Sequence, residues 1–334
     1  MAGDSLSWFE LPRVMVGPAL QACRGFNSSL DVAFYDVPTL VLDLKARGEA
    51  VETQPGEAAP HETRPLDLDA LTNPEGALLV VDAAGAPPVL RFEDLQEFLG
   101  WHGAVGRKPM TVSITGVGSS ALGSAALAWD VSKATGAPVI AIVPGYGVAD
   151  AMLQGMGGWF GFGLHDALNT KSRIQDALAL TAPEIAKVGH KLLASLPDGR
   201  RPINGAPVFR AGCGSSDVLH SLLKRIPIDC VVGHSKSALS IANALNSMDS
   251  GDVKALQVVT LGCPIAETVP GATYHQYLGV FDALGQANAW GHKPNAWVAT
   301  DHSTNAALPL SMDAGALAAG PETASNPSPP DQRT

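Results

Sequence analysis

The chain has 334 residues, 46% of them hydrophobic and 16% charged, with a formal net charge of −10 and a pI near 5.3. That composition supports a sizeable core in one large or two smaller globular domains, and an acidic chain with no basic patch is not expected to bind nucleic acid. No apolar run reaches the ~20 residues of a membrane-spanning helix. Met1-Ala2-Gly3-Asp4-Ser5 has neither the basic nor the apolar region of a secretory leader. The four cysteines (Cys23, Cys213, Cys230, Cys263) lack metal-ligand spacing, and there is no H-x-x-x-H pair. The expectation is a cytoplasmic protein without a transmembrane segment, metal or other cofactor. Non-classical export and the oligomeric state are left open.

In chain order, residues 1–109 open with short apolar pieces mixed with Gly and Pro over 1–45. Arg13–Val16 and Thr39–Leu44 read as strands that begin a sheet, and residues 46–75, rich in Glu, Pro and Thr, as a solvated excursion. Ala77–Val81 and Val89–Phe92 flank a Gly/Pro turn and predict a hairpin, with a helix over Phe92–Trp101. This region either completes a sheet or forms a cap. From residue 110 strands alternate with helices: strand Thr111–Thr115, loop Gly116–Ser120, helix Ala121–Thr135 stopped by Gly136, strand Val139–Val143. Such alternation predicts an α/β architecture with a mostly parallel sheet flanked by helices.

Residues 148–164 break that rhythm. Met152, Leu153, Met156, Trp159, Phe160, Phe162 and Leu164 are interleaved with Gly155, Gly157, Gly158, Gly161 and Gly163. Glycine costs a buried helix ~1 kcal/mol against alanine, so the stretch reads as a lid or pocket wall, with Met156, Trp159, Phe160 and Phe162 lining a substrate pocket. The lid or cap insertion is placed near 148–213. Lys171–Leu196 has helical spacing, and a helix over Asp217–Arg225 leads into the next strand. Further strands are expected at Ala255–Leu261, Tyr274–Phe281 and Asn295–Ala299, and residues 314–334 read as a disordered tail after a core of 110–313.

Ile228 and Cys230–Val232 form a short apolar run, and Ala238, Leu239, Ile241, Ala242 and Leu245 follow at helical spacing. Between strand and helix lies Gly233-His234-Ser235-Lys236-Ser237, the G-x-S-x-G nucleophile turn with its last glycine replaced by serine. A sharp turn there lifts a serine hydroxyl above the sheet and aims the amide of Lys236 at a developing oxyanion. The plainer reading is a strand-to-helix turn with a capping serine. Two later strand ends carry Asp282 and His302, and open parallel sheets gather their working groups at the carboxyl ends of strands.

The segment Val231–Ala242, the strand end Val259-Thr260-Leu261-Gly262-Cys263-Pro264, and Asp282 and His302 in that order resemble the α/β-hydrolase superfamily, most closely lipases and esterases of the class 3 type. The resemblance spans roughly 111–305. It departs at Ser237 and in the short interval between Asp282 and His302. It implies an α/β-hydrolase fold with a lid, no cofactor, and a serine hydrolase that cleaves carboxylic esters through a Ser235–His302–Asp282 triad. Lys236 would supply one oxyanion amide and Val117 or Gly118 the other. The substrate would be a small-molecule or lipid-like ester with an apolar acyl group. Thioester, polyester and amide hydrolysis use the same machinery.

Other readings compete. Asp301 is a reserve acid, although neighbours on an extended chain point to opposite sides. Asp282 could simply cap a helix. His292 reads as solvated, His234 as packing and His275 as structural. Gly116-Val117-Gly118-Ser119-Ser120-Ala121 fits the dinucleotide fingerprint of a NAD-dependent oxidoreductase, but the next strand ends in Ile142-Val143-Pro144-Gly145, without the carboxylate that would hold a ribose. A non-catalytic binding protein on the same fold is the remaining alternative.

Overall fold

A computed structural model of the chain describes residues 25–26, 29–52, 77–92, 95–105, 111–116, 118–144, 148–156, parts of 170–182, 214–248, 251–266, 268–289 and 292–320. Eight short strands make one sheet: β1 (Leu78–Val81), β2 (Val89–Phe92), β3 (Thr111–Ile114), β4 (Val139–Ile142), β5 (Cys230–His234), β6 (Gln257–Leu261), β7 (Thr273–Gly279) and β8 (Ala296–Val298), in spatial order β2-β1-β4-β3-β5-β6-β7-β8. The strands from β4 to β8 in that order run parallel, and the β1–β2 hairpin adds an antiparallel edge through β1 and β4. From residues 1–109, two strands, Leu78–Val81 and Val89–Phe92, join this sheet.

The central strands are buried on both faces, and β4 and Cys230–Val232 of β5 read as unbroken apolar runs. Their side chains still alternate. Val112, Ile114, Ile140, Ile142 and Val231 face one layer of helices, α2 (Leu95–Val105), α5 (Gly214–Arg225) and α6 (Ser237–Asn246), and pack with Phe98, Leu219, Leu222 and Ile241. Val139, Ala141, Val232 and Val259 face the other layer, where Leu40, Leu127, Trp129 and Leu317 come from α1 (Val37–Glu52), α3 (Ala121–Thr135) and α8 (Ala314–Ala319). Two further helices are α4 (Val148–Gly155) and α7 (Ala283–Asn288).

Several expectations are corrected. Thr39–Leu44 lies inside α1 and is not a strand. The Asp36 carboxylate accepts the Thr39 amide at 3.1 Å and caps this helix, and Val37, Leu40, Val41 and Leu44 recur on one face. Residues 46–52, expected as loop, continue α1. Ala314–Ala319, expected in a disordered tail, is a helix capped by Asp313, whose carboxylate accepts the Ala316 amide. Its small residues allow close docking on α3: a Cβ on Gly315 would sit 2.7 Å from the Asp130 carbonyl and 2.9 Å from Ala134 Cβ. Of the expected lid, 148–155 is the helix α4, and 157–164 falls outside the described residues, as do Arg13–Val16 and 321–334.

Candidate active site

Strand β5 and helix α6 meet at Ser235. Its φ of 56° lies in the left-handed region, which costs a non-glycine residue about 1–3 kcal/mol and marks a position the surroundings impose. Its amide donates to the Leu261 carbonyl at 2.8 Å, tying the turn to β6. Gly233 is required by close approach, since a Cβ there would lie 2.4 Å from Ile241 Cδ1 and 2.9 Å from Ser237 Oγ. Ser237, the departure from the usual glycine, is accommodated because its hydroxyl donates back to the His234 carbonyl at 2.8 Å.

Asp282 follows β7 and His302 follows β8, so both arrive at the same carboxyl edge as Ser235. The His302 ring fits between them. Its Nδ1 lies 2.9 and 2.8 Å from the two carboxylate oxygens of Asp282, and its Nε2 lies 2.9 Å from Ser235 Oγ. With the Nδ1 proton facing the carboxylate, Nε2 is left to accept the serine hydroxyl. Asp282 and His302 are only 1% and 7% exposed. Asp282 also caps α7, accepting the Gly285 amide at 2.5 Å, so its helix-capping reading and its pairing with His302 hold together. Asp301 accepts the Ser303 amide instead, and it is Asp282 that meets the ring.

Gly262, at the end of β6, makes this pairing possible. It has φ of 72°, and a Cβ there would lie 2.9 Å from His302 Nδ1 and 3.0 Å from Asp282 Oδ2.

The loop after β3 runs beside the serine. A Cβ on Gly116 would come within 3.3 Å of Ser235 Cβ and 3.7 Å of its Oγ. Gly118 is buried with φ of 86°, and Val117 lies outside the described residues. Lys236 directly follows Ser235 at the start of α6. Burial of its side chain lowers the ammonium to about 8, and burial likewise pushes the nearby Cys263 thiol up to about 12.

A strap of residues 29–36, helical through 34, crosses this edge. On one side Asp31 occupies the N-terminus of α3, accepting the Ser119 hydroxyl at 2.7 Å and the Ser120 amide at 2.9 Å. Burial raises its carboxyl to about 6 against the pull of those bonds. On the other side the strap's carbonyls accept from the residues just past His302: Ser303 Oγ to Ala33, Thr304 N and Oγ1 to Phe34, Asn305 Nδ2 to Val32. Phe34 meets the His302 ring edge-on at 5.5 Å. Tyr35 Oη lies 2.7 Å from the Gly116 amide and 2.9 Å from His234 Nδ1.

The structure thus brings Ser235, His302 and Asp282 together and sets Gly116 and Lys236 beside them. Met156, expected in a substrate pocket, is 51% exposed at the end of α4, while Trp159, Phe160 and Phe162 lie outside the described residues. Asp31, Phe34 and Tyr35 were absent from the sequence expectation. Nothing local in Asp31-Val32-Ala33-Phe34-Tyr35 links it to a histidine 199 positions away. Gly262 did carry a signal, the Gly-Cys-Pro that closes its strand. Among the described residues, no group of three or more His, Cys, Asp or Glu is placed to hold a metal ion, and no helix is long and apolar enough to cross a membrane. No protein-family model, curated protein or solved structure matched the chain.

Proposed function

We propose that the protein is a serine hydrolase that cleaves carboxylic esters through an acyl-enzyme. The observation that carries the reading is the unbroken chain Ser235 Oγ–His302 Nε2, His302 Nδ1–Asp282, with every link at 2.8–2.9 Å and the serine on a strained strand-to-helix turn. Ser235 Oγ attacks the acyl carbon as His302 Nε2 takes its proton. The tetrahedral intermediate collapses, and His302 returns that proton to the departing alkoxide. Water, deprotonated by the same ring, then attacks the acyl-serine and releases the carboxylic acid and the free serine. Asp282 holds the ring in the useful tautomer and stabilises its cationic form. The Lys236 amide and one from Val117 or Gly118 are assigned to the oxyanion; loss of one such donor lowers turnover by ~10²–10³.

An apolar acyl group is supported by the loops that bear the acid and the base. Val280 and Phe281 precede Asp282, and Leu308 and Leu310 follow His302; all four are exposed. The dinucleotide reading is disfavoured by Asp31, whose carboxylate already sits at the helix N-terminus that a pyrophosphate would use.

The test is turnover of a p-nitrophenyl ester series. Wild type is expected to hydrolyse butyrate and longer esters, and Ser235→Ala to lose at least ~10⁴-fold in kcat. Equal turnover by the two proteins overturns the assignment.

A further inference from the structure

Tyr35 Oη lies between two partners, the Gly116 amide at 2.7 Å and His234 Nδ1 at 2.9 Å. An amide nitrogen can only donate, so the phenol accepts from Gly116 and turns its single proton toward His234. Nδ1 of His234 is then the bare nitrogen. The ring proton sits on Nε2, which donates to the His302 carbonyl at 2.8 Å. Each donor is used once, and the three bonds run in one direction, from the loop after β3 to the backbone of His302. The chain is enclosed: Tyr35 is 3% and His234 1% exposed, and the His234 and His302 rings lie 4.8 Å apart. Burial holds the His234 imidazole neutral, with its proton affinity lowered to about 3, and drives the Tyr35 phenol upward, so both groups keep the protonation this chain needs.

We propose that Tyr35 and His234 are positioning residues that couple the Gly116 loop to His302, so that the oxyanion side and the base converge together on Ser235. The inference rests on the hydrolase reading above. Tying the Gly116 N–H to the phenol removes that amide from the oxyanion donors and fixes the loop's first peptide against Ser235. At the other end, His234 pins the carbonyl of His302 and with it the backbone from which the imidazole extends. A misplacement of about 1 Å at a reacting centre costs on the order of 10² in rate. The expected signature is therefore a loss in kcat with little change in KM.

Tyr35→Phe keeps the ring and removes the hydroxyl. His234→Gln keeps a donor for the His302 carbonyl but replaces the ring nitrogen that accepts from Tyr35 with an amide oxygen on a flexible chain. Each is expected to lower kcat for p-nitrophenyl butyrate by about 10- to 100-fold, with KM within about threefold of wild type. If the two residues act as one unit, the double variant is no slower than the slower single variant. Folded single variants with kcat within about twofold of wild type overturn the proposal, and so does a double variant whose loss is the product of the two single losses. If Tyr35→Phe does not fold, the kcat and KM of His234→Gln decide. A wild type whose turnover survives Ser235→Ala overturns the hydrolase reading and this proposal with it. Turnover that is lost in Ser235→Ala but unchanged in Tyr35→Phe and His234→Gln overturns this proposal alone.

Discussion

At the scale of single residues, the site depends on positions where one atom more or less decides the geometry. Gly262 is the sharpest case. Alanine there meets both a left-handed φ, unfavourable by about 1–2 kcal/mol for an L-residue, and the His302–Asp282 pair at 2.9–3.0 Å. Gly262→Ala is expected to lower stability by at least that amount and to displace the ring, cutting kcat more than KM; unfolding curves and steady-state kinetics check both. Asp282→Asn keeps an oxygen for the Gly285 amide but offers His302 Nδ1 a neutral group, so the fold should persist while kcat falls by about 10⁴-fold. His234 has a consequence for pH. Its proton affinity is about 3 in the folded protein against an ordinary 6.5, so the unfolded chain takes up a proton that the folded one refuses. Stability from this group is complete above 6.5 and is lost as pH falls toward 3, by up to about 1.4 kcal/mol per pH unit. Urea unfolding at pH 7 and 4.5 should show the acid loss of wild type exceeding that of His234→Gln.

At the scale of elements, the parallel strands and the helices between them follow from patterns the chain displays openly. Runs such as Val139-Ile140-Ala141-Ile142 announce strands buried on both faces, and Ser120 and Gly136 mark the ends of α3: the Ser120 hydroxyl accepts the Leu122 amide, and Gly136 takes a φ of 65°. Two elements were misread because composition spoke against their periodicity. The short apolar piece Thr39–Leu44 suggested a strand, yet the helical spacing of Val37, Leu40, Val41 and Leu44 and the Asp36 cap prevail. The Ala/Gly content of 314–319 suggested disorder, whereas small residues are what let α8 settle on α3. Filling that contact tests the point. Gly315→Val should push against the Asp130 carbonyl and Ala134 and cost about 1–3 kcal/mol in unfolding free energy. An unchanged urea midpoint would show that α8 does not depend on this close approach.

At the scale of the whole molecule, the meeting of Ser235, His302 and Asp282 was legible because all three stand at strand ends, and a parallel sheet brings strand ends to one edge however far apart they lie in the chain. The strap was not legible. Asp31 and Tyr35 reach the site by tertiary packing alone, through bonds that span 81 to 199 positions, and no periodicity encodes such a meeting. The departure at Ser237 was visible in the sequence, but its compensation, a hydroxyl returned to the His234 carbonyl, required coordinates. Ester hydrolysis at this site requires the Ser235 hydroxyl to be a nucleophile activated by His302. The direct measurement is reaction of the full chain with a fluorophosphonate, followed by peptide mapping of the adduct. One adduct is expected, on Ser235, absent in Ser235→Ala and formed far more slowly in His302→Ala. A protein left unmodified, or one modified at another residue regardless of Ser235, would contradict it.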